Sequence, residues 1–105
     1  MPIDFDIFGR IDKCNLTGVE LIAQFQKTAV EARTMPTQAS DDMLIAYGYY
    51  KQATVGNNEN EAPPETDMVH AFMHKTWSKL KGMTKEEAMR IYIDFINYLD
   101  LKSKL

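Results

Sequence analysis

The stretch Met43-Leu-Ile-Ala-Tyr-Gly-Tyr-Tyr-Lys-Gln-Ala-Thr-Val-Gly56 decides how this chain is read. Its Met43, Tyr47, Tyr50, Lys51 and Thr54 fall at i, i+4, i+7, i+8 and i+11, which puts all five on one face of a helix that stops at Gly56. The opposite face carries Ile45, Gly48, Tyr49 and Gln52. One side therefore sets phenols beside an ammonium. A tyrosine offers a flat apolar ring with a hydroxyl at its tip, and a lysine is a compact charge suited to phosphate. A nucleotide with several phosphates needs both. On spacing alone the commoner reading is plainer: Tyr47 and Tyr50 are core aromatics and Lys51 is a surface lysine lying along them.

The residues themselves shift that balance. The run Tyr47-Gly-Tyr-Tyr-Lys-Gln-Ala-Thr-Val-Gly56 resembles the signature Tyr-x-x-Tyr-Lys-Gln-Ala-Thr-x-Gly of the acyl-CoA-binding protein family. A second block, Trp77-Ser-Lys-Leu-Lys-Gly82 followed by Thr84-Lys-Glu-Glu-Ala-Met-Arg-Ile-Tyr-Ile93, is similar to that family's second conserved pattern. The resemblance covers about Leu21 to the C-terminus. It implies acyl-CoA held in a groove among helices, with adenine and phosphates at the rim and the acyl chain in an apolar channel. Carried over by position, Tyr47, Tyr50, Lys51 and Tyr92 match ligand-contacting residues, and Arg33 matches a basic position of the first helix. The resemblance gives Lys51 the 3′-phosphate, a tyrosine ring the adenine, and Met43 and Leu44 the acyl path. Met73-His74 stands where the family commonly has Lys-Trp, so one phosphate contact is missing and Met73 is the doubtful member of the set.

Size and composition agree with a small helical protein. The chain has 105 residues, enough for one domain with a modest core. Apolar residues are 45% and charged residues 26%, ordinary for a globular protein. A net charge of −3 argues against general nucleic-acid affinity, so an anionic ligand needs a local basic cluster. Cys14 is the single cysteine, which rules out an internal disulfide and fits a reducing compartment. No secretory signal and no membrane-length apolar run is expected.

Residues 1–16 read as an N-terminal extension and 17–105 as the acyl-CoA-binding domain. Phe5, Ile7, Phe8 and Ile11 are apolar enough to lie on the bundle or on a partner. A first helix starts near Thr17, with Gly18, Leu21, Ile22, Phe25, Ala29 and Ala32 as its stripe, Arg33 on the flank and Pro36 as its stop. The loop Thr34 to Ala39 lacks the family's usual lysines and is one residue short. Ser40 is the expected cap of the second helix, before Asp41 and Asp42. The polar connection Asn57 to Glu65 leads to a third helix from Thr66 or Asp67, with Val69, Phe72, Met73, Trp77 and Leu80 inward. Thr84-Lys-Glu-Glu87 is a capping box, its hydroxyl accepting a free N–H and Glu87 reaching back. Ala88, Ile91, Tyr92, Phe95 and Leu99 make the fourth stripe. Glu86, Arg90, Asp94 and Asn97 are expected to face water, with Glu86 and Arg90 spaced as a pair. The fold class that follows is all-α, a four-helix bundle.

No catalytic constellation is found. His70 and His74 are spaced to share a metal, but the general-base glutamate and a third ligand are missing, so both are read as solvent-facing and no metal or cofactor is expected. The function expected is a non-catalytic, monomeric carrier that buffers and delivers long-chain acyl-CoA esters. The alternative is a helical protein-interaction module with weakened or lost CoA binding, working through Phe5 and Phe8. The ending Ser103-Lys104-Leu105 reads as a peroxisomal address, with cytosol as the other location. Since Leu99 is the last strongly periodic residue, this ending is expected to protrude.

Overall fold

The computed structural model describes residue 9, residues 12–35 and residues 40–104, and in them four helices and no strand. They are α1 (Gly18–Ala32), α2 (Ser40–Thr54), α3 (Met68–Ser78) and α4 (Lys85–Ser103). None is long and apolar enough to cross a membrane. The expected contacts of Phe5, Ile7, Phe8 and Ile11, the stop at Pro36, the cap by the Ser40 side chain and the place of Leu105 lie outside the described residues.

Local chemistry sets the helix ends. Asp67 caps α3 by accepting the His70 N–H. Thr84 caps α4: its hydroxyl accepts the Glu87 N–H and donates to Glu87 Oε1, each at 3.1 Å. The capping box therefore closes through Glu87 and the hydroxyl. Gly56 ends α2 with φ +97°, a left-handed conformation that costs a side chain dearly, and its N–H reaches the carbonyls of Lys51 and Gln52.

α4 lies between α1 and α2, and α3 packs on α2. This central place explains why α4 buries more than one stripe. Ala88, Tyr92, Phe95 and Leu99 are buried as the periodicity predicts, and Ile93, Ile96 and Tyr98 join them. α1 contributes Leu21, Phe25 and, unexpectedly, Thr28, whose hydroxyl accepts from Gln24 Nε2. Ile22, expected in the stripe, is 45% exposed, so the contact of α1 with α4 is narrower than its sequence suggests.

α3 departs further from expectation. Trp77 is buried, but Val69 and Phe72 are 58% and 38% exposed. α3 has only 11 residues, and its contact is with one helix. That contact is close around Gly48, where an added Cβ would stand 3.2 Å from the Thr76 carbonyl carbon. Thr76 Oγ1 also donates to Leu44 O. Polar bonds fix the C-terminal end of α3. Trp77 Nε1 donates to Gly56 O at 2.8 Å, and the fully buried Gln52 donates to Met83 O at 2.8 Å. Asn57 Oδ1 accepts from both Gln52 Nε2 and the Gly82 N–H.

Two polar residues of α4 do not face water freely. Asp94 is 8% exposed, because the segment before α1 lies over it: its Oδ1 accepts the Cys14 N–H at 2.8 Å. Arg90 donates from Nε to Leu16 O at 2.9 Å, which draws it toward the same segment instead of leaving it for Glu86. Periodicity along α4 cannot foresee this, since the partner lies outside every helix. The helix runs past Leu99 to Ser103, whose hydroxyl donates to Asp100 O, and Lys104 Nζ reaches Asp100 Oδ2 at 3.0 Å; Ser103 and Lys104 are both exposed. Lys102 Nζ stands 3.8 Å from the buried Asp42 carboxylate and links the start of α2 to the end of α4.

Burial pushes the Asp94 carboxyl above the usual range, with the Cys14 N–H and nearby Lys13 pulling the other way. The folded state thus holds that proton more tightly than the unfolded chain. Stability falls as pH rises from the ordinary carboxylate range through the raised folded value, then levels. Asp94→Asn keeps an acceptor for Cys14 and removes the buried charge. At neutral pH this variant should be at least as stable as the wild type in urea denaturation, and the gap should close in acid. Lower stability at neutral pH would show that the ionised carboxylate gains more from its partners than it loses by burial.

Candidate ligand-binding site

The C-terminal half of α1, α2 from Met43 to Tyr50, two turns of α4 and Met73 of α3 line an open cavity of about 370 Å³. It exists because α1 presents small residues there. Ala29 and Ala32 lie on the same face as Leu21 and Phe25, but their side chains are too short to reach α2. Sequence reading took them as plain core. A run of small residues in a stripe that is large elsewhere is the signal that could have marked a void.

Most of the residues singled out by sequence meet here. Arg33, Met43, Leu44, Tyr47, Tyr50, Met73 and Tyr92 all line the cavity. Met35, Ala46, Ile96 and Leu99 complete the wall and were not foreseen. Met35 follows α1 in an irregular segment, where no helical period applies. Lys51 is the one member outside the lining. Its ammonium stands at the side, 5.9 Å from the Tyr47 ring centre and 5.2 Å from that of Trp77, a cation held over two aromatic faces.

Three rings from three helices meet at the floor, where Tyr50 and Tyr92 line the cavity. Phe25 of α1 stacks on Tyr50 of α2 with centroids 5.7 Å apart, and Tyr92 of α4 meets Phe25 at 5.2 Å and Tyr50 at 5.9 Å. Such offset and edge contacts add about 0.5–1.5 kcal/mol each beyond area burial. Burial raises the Tyr92 phenol pKa; Tyr50 raises it further and Arg33 opposes. Tyr92 is therefore a neutral hydroxyl at neutral pH, able to donate or accept.

The histidines serve the scaffold. His70 Nδ1 lies 2.8 Å from Asp67 Oδ2. His74 Nε2 lies 2.9 Å from Asn60 O, and a carbonyl only accepts, so this nitrogen carries hydrogen. Its Nδ1 is 3.5 Å from Ser78 Oγ, which also accepts from Asn58 Nδ2. His74 thus does not simply face solvent. Among the described residues no three metal-binding side chains gather. The geometry suits an amphiphile: an apolar hollow, hydroxyls along one wall, and positive charge at Arg33 and Lys51.

Comparison with known proteins bears on this arrangement. The profile of the family described as acyl CoA binding protein matches residues 22–96. The chain belongs to this family. Acyl-CoA-binding protein 2 of Saccharomyces pastorianus is 38% identical over 79 residues, which cover 74% of this chain and 91% of the relative. An acyl-CoA-binding protein of Gossypium hirsutum is 40% identical over 77 residues, covering 72% and 86%. The crystal structure of Oryza sativa acyl-CoA-binding protein 2 superposes with a TM-score of 0.78 at 33% identity, over 82% of this chain and 95% of that one. The family fold is therefore present nearly whole, and the matched segment includes every residue discussed as lining the cavity except Ile96's neighbour Leu99.

Trp77 joins fold and site, since it bonds Gly56 O and underlies Lys51. Trp77→Phe leaves that carbonyl without its donor. It should lower stability by about 1–3 kcal/mol in chemical denaturation. An unchanged midpoint would mean that another donor replaces the indole.

Proposed function

We propose that this member of the family is a non-catalytic carrier of long-chain acyl-CoA esters, acting as a monomer. The observation that carries the reading is an apolar cavity with Arg33, Tyr47 and Lys51 at its edge. In this reading Lys51 and Arg33 meet phosphates, and a tyrosine ring receives the adenine. Met43, Leu44 and the alanine wall of α1 surround the chain. Burying the chain is worth about 0.8 kcal/mol per CH₂, so the apolar part supplies much of the affinity and the headgroup orients it. The acyl-CoA-binding names of the yeast and cotton relatives support the same ligand. No bond is made or broken; the protein shields the chain from water and releases it unchanged.

Calorimetric titration tests this directly. A long-chain acyl-CoA should bind far more tightly than free CoA or the free fatty acid, because each lacks one half of the recognised molecule. Equal affinity for the fatty acid and its CoA ester would remove the carrier reading. Lys51→Ala should weaken acyl-CoA binding roughly tenfold or more, with helix content unchanged by circular dichroism. Unchanged affinity would leave Lys51 with a structural role only.

A further inference from the structure

The ammonium of Lys51 is held by rings instead of by a carboxylate. It stands 5.2 Å from the Trp77 ring centre and 5.9 Å from that of Tyr47, within the range of cation–π attraction. Among the described residues the ion pairs involve His70, Lys102 and Lys104, and no carboxylate pairs with Lys51. The difference matters to an anionic ligand. A carboxylate partner would cancel the lysine charge, and a phosphate would have to displace it. A ring face attracts the ammonium through its quadrupole and leaves the full charge in place. An ammonium has three N–H donors, and those turned away from the rings stay open to a phosphate.

Trp77 is the fixed member of this arrangement. It is 5% exposed, and its Nε1 donates to Gly56 O at 2.8 Å, which sets the orientation of the indole. The Gly56 N–H in turn donates to the carbonyl of Lys51. The ring from α3 is thereby tied to the turn of α2 from which the lysine stem leaves. That stem has four flexible carbons and loses much freedom when its head is fixed. The face of Trp77 restricts it before any ligand arrives. Tyr47 lines the cavity and Trp77 does not, so Trp77 reaches a ligand through Lys51.

We propose that Trp77 is a positioning residue for the phosphates of the ligand: its ring face holds the Lys51 ammonium, charged and unpaired, at the edge of the cavity where the acyl-CoA headgroup sits. This rests on the carrier reading and gives α3 a part in headgroup recognition. A tryptophan with a structural role alone would cost the same affinity on removal whether or not Lys51 is present. The test measures palmitoyl-CoA binding by calorimetry for Trp77, Trp77→Phe and Trp77→Leu, each with Lys51 intact and with Lys51→Ala. Both substitutions delete the bond to Gly56 O, and only Phe keeps a ring face, so comparing them separates the face from the bond. With Lys51 intact, Trp77→Leu should weaken binding about three- to tenfold, and Trp77→Phe by less. With Lys51→Ala, all three should agree within about twofold. A Trp77→Leu penalty of the same size in both backgrounds overturns the proposal, and so does an equal loss in Phe and Leu. Either result leaves the carrier reading standing, whereas no binding by the wild type overturns that reading itself. If circular dichroism shows that Trp77→Leu does not fold, Trp77→Phe decides alone. Its weaker ring face should cost about two- to threefold with Lys51 and nothing without it, and an equal cost in both backgrounds overturns the proposal.

Discussion

The contact of Phe25, Tyr50 and Tyr92 is the constraint on which the rest depends. Each ring comes from a different helix, so their mutual packing fixes α1, α2 and α4 relative to one another. The rings are wide and rigid and hold the helices apart at one level. Beyond them the side chains of α1 shrink to Ala29 and Ala32, and the space between the helices cannot close. A hollow follows from a large floor beneath small walls. The same Tyr50 and Tyr92 that set the spacing also face the hollow, which is why core and site cannot be separated in this bundle.

Much of this was legible in the sequence, for a definable reason. Where a helix has a neighbour along its whole length, its apolar period reports the burial correctly, as Ala88, Tyr92, Phe95 and Leu99 show. The site residues were readable because Met43, Tyr47 and Tyr50 repeat on one face of one helix, and resemblance added Tyr92 and Arg33. The failures share a cause. Val69 and Phe72 belong to a helical turn without a second neighbour, so an apolar pattern there did not mean burial. Asp94 and Arg90 have partners in an irregular segment some 80 and 74 positions away, and no local pattern encodes such a pairing. Met35 and the void beside the α1 alanines depend on what is missing between helices, and a sequence does not state the distance between them.

Charge follows the same logic of placement. Lys51 is on the ligand-facing side of α2 by spacing, but only the structure shows its ammonium over Tyr47 and Trp77. A side chain held in that way has already lost part of its rotamer freedom, so less remains to be lost when an anion arrives. His74 illustrates the converse. It lies one position from Met73, yet bonds to the Asn60 carbonyl engage it in the scaffold.

The two ends of α3 are held very unequally. Trp77, Gln52 and Asn57 gather the backbone of Gly56, Gly82 and Met83 into one knot of hydrogen bonds at its C-terminus. Its first turn has the Asp67 cap and exposed Met68, Val69 and Phe72. Helices with few buried contacts open at lower free energy than the core around them. α3 is thus anchored at Trp77 and little buried at its start, and Met73, midway between, stands at the wall of the cavity. Only that one residue of α3 reaches the cavity, and none of the three rings that hold the other helices in place comes from it.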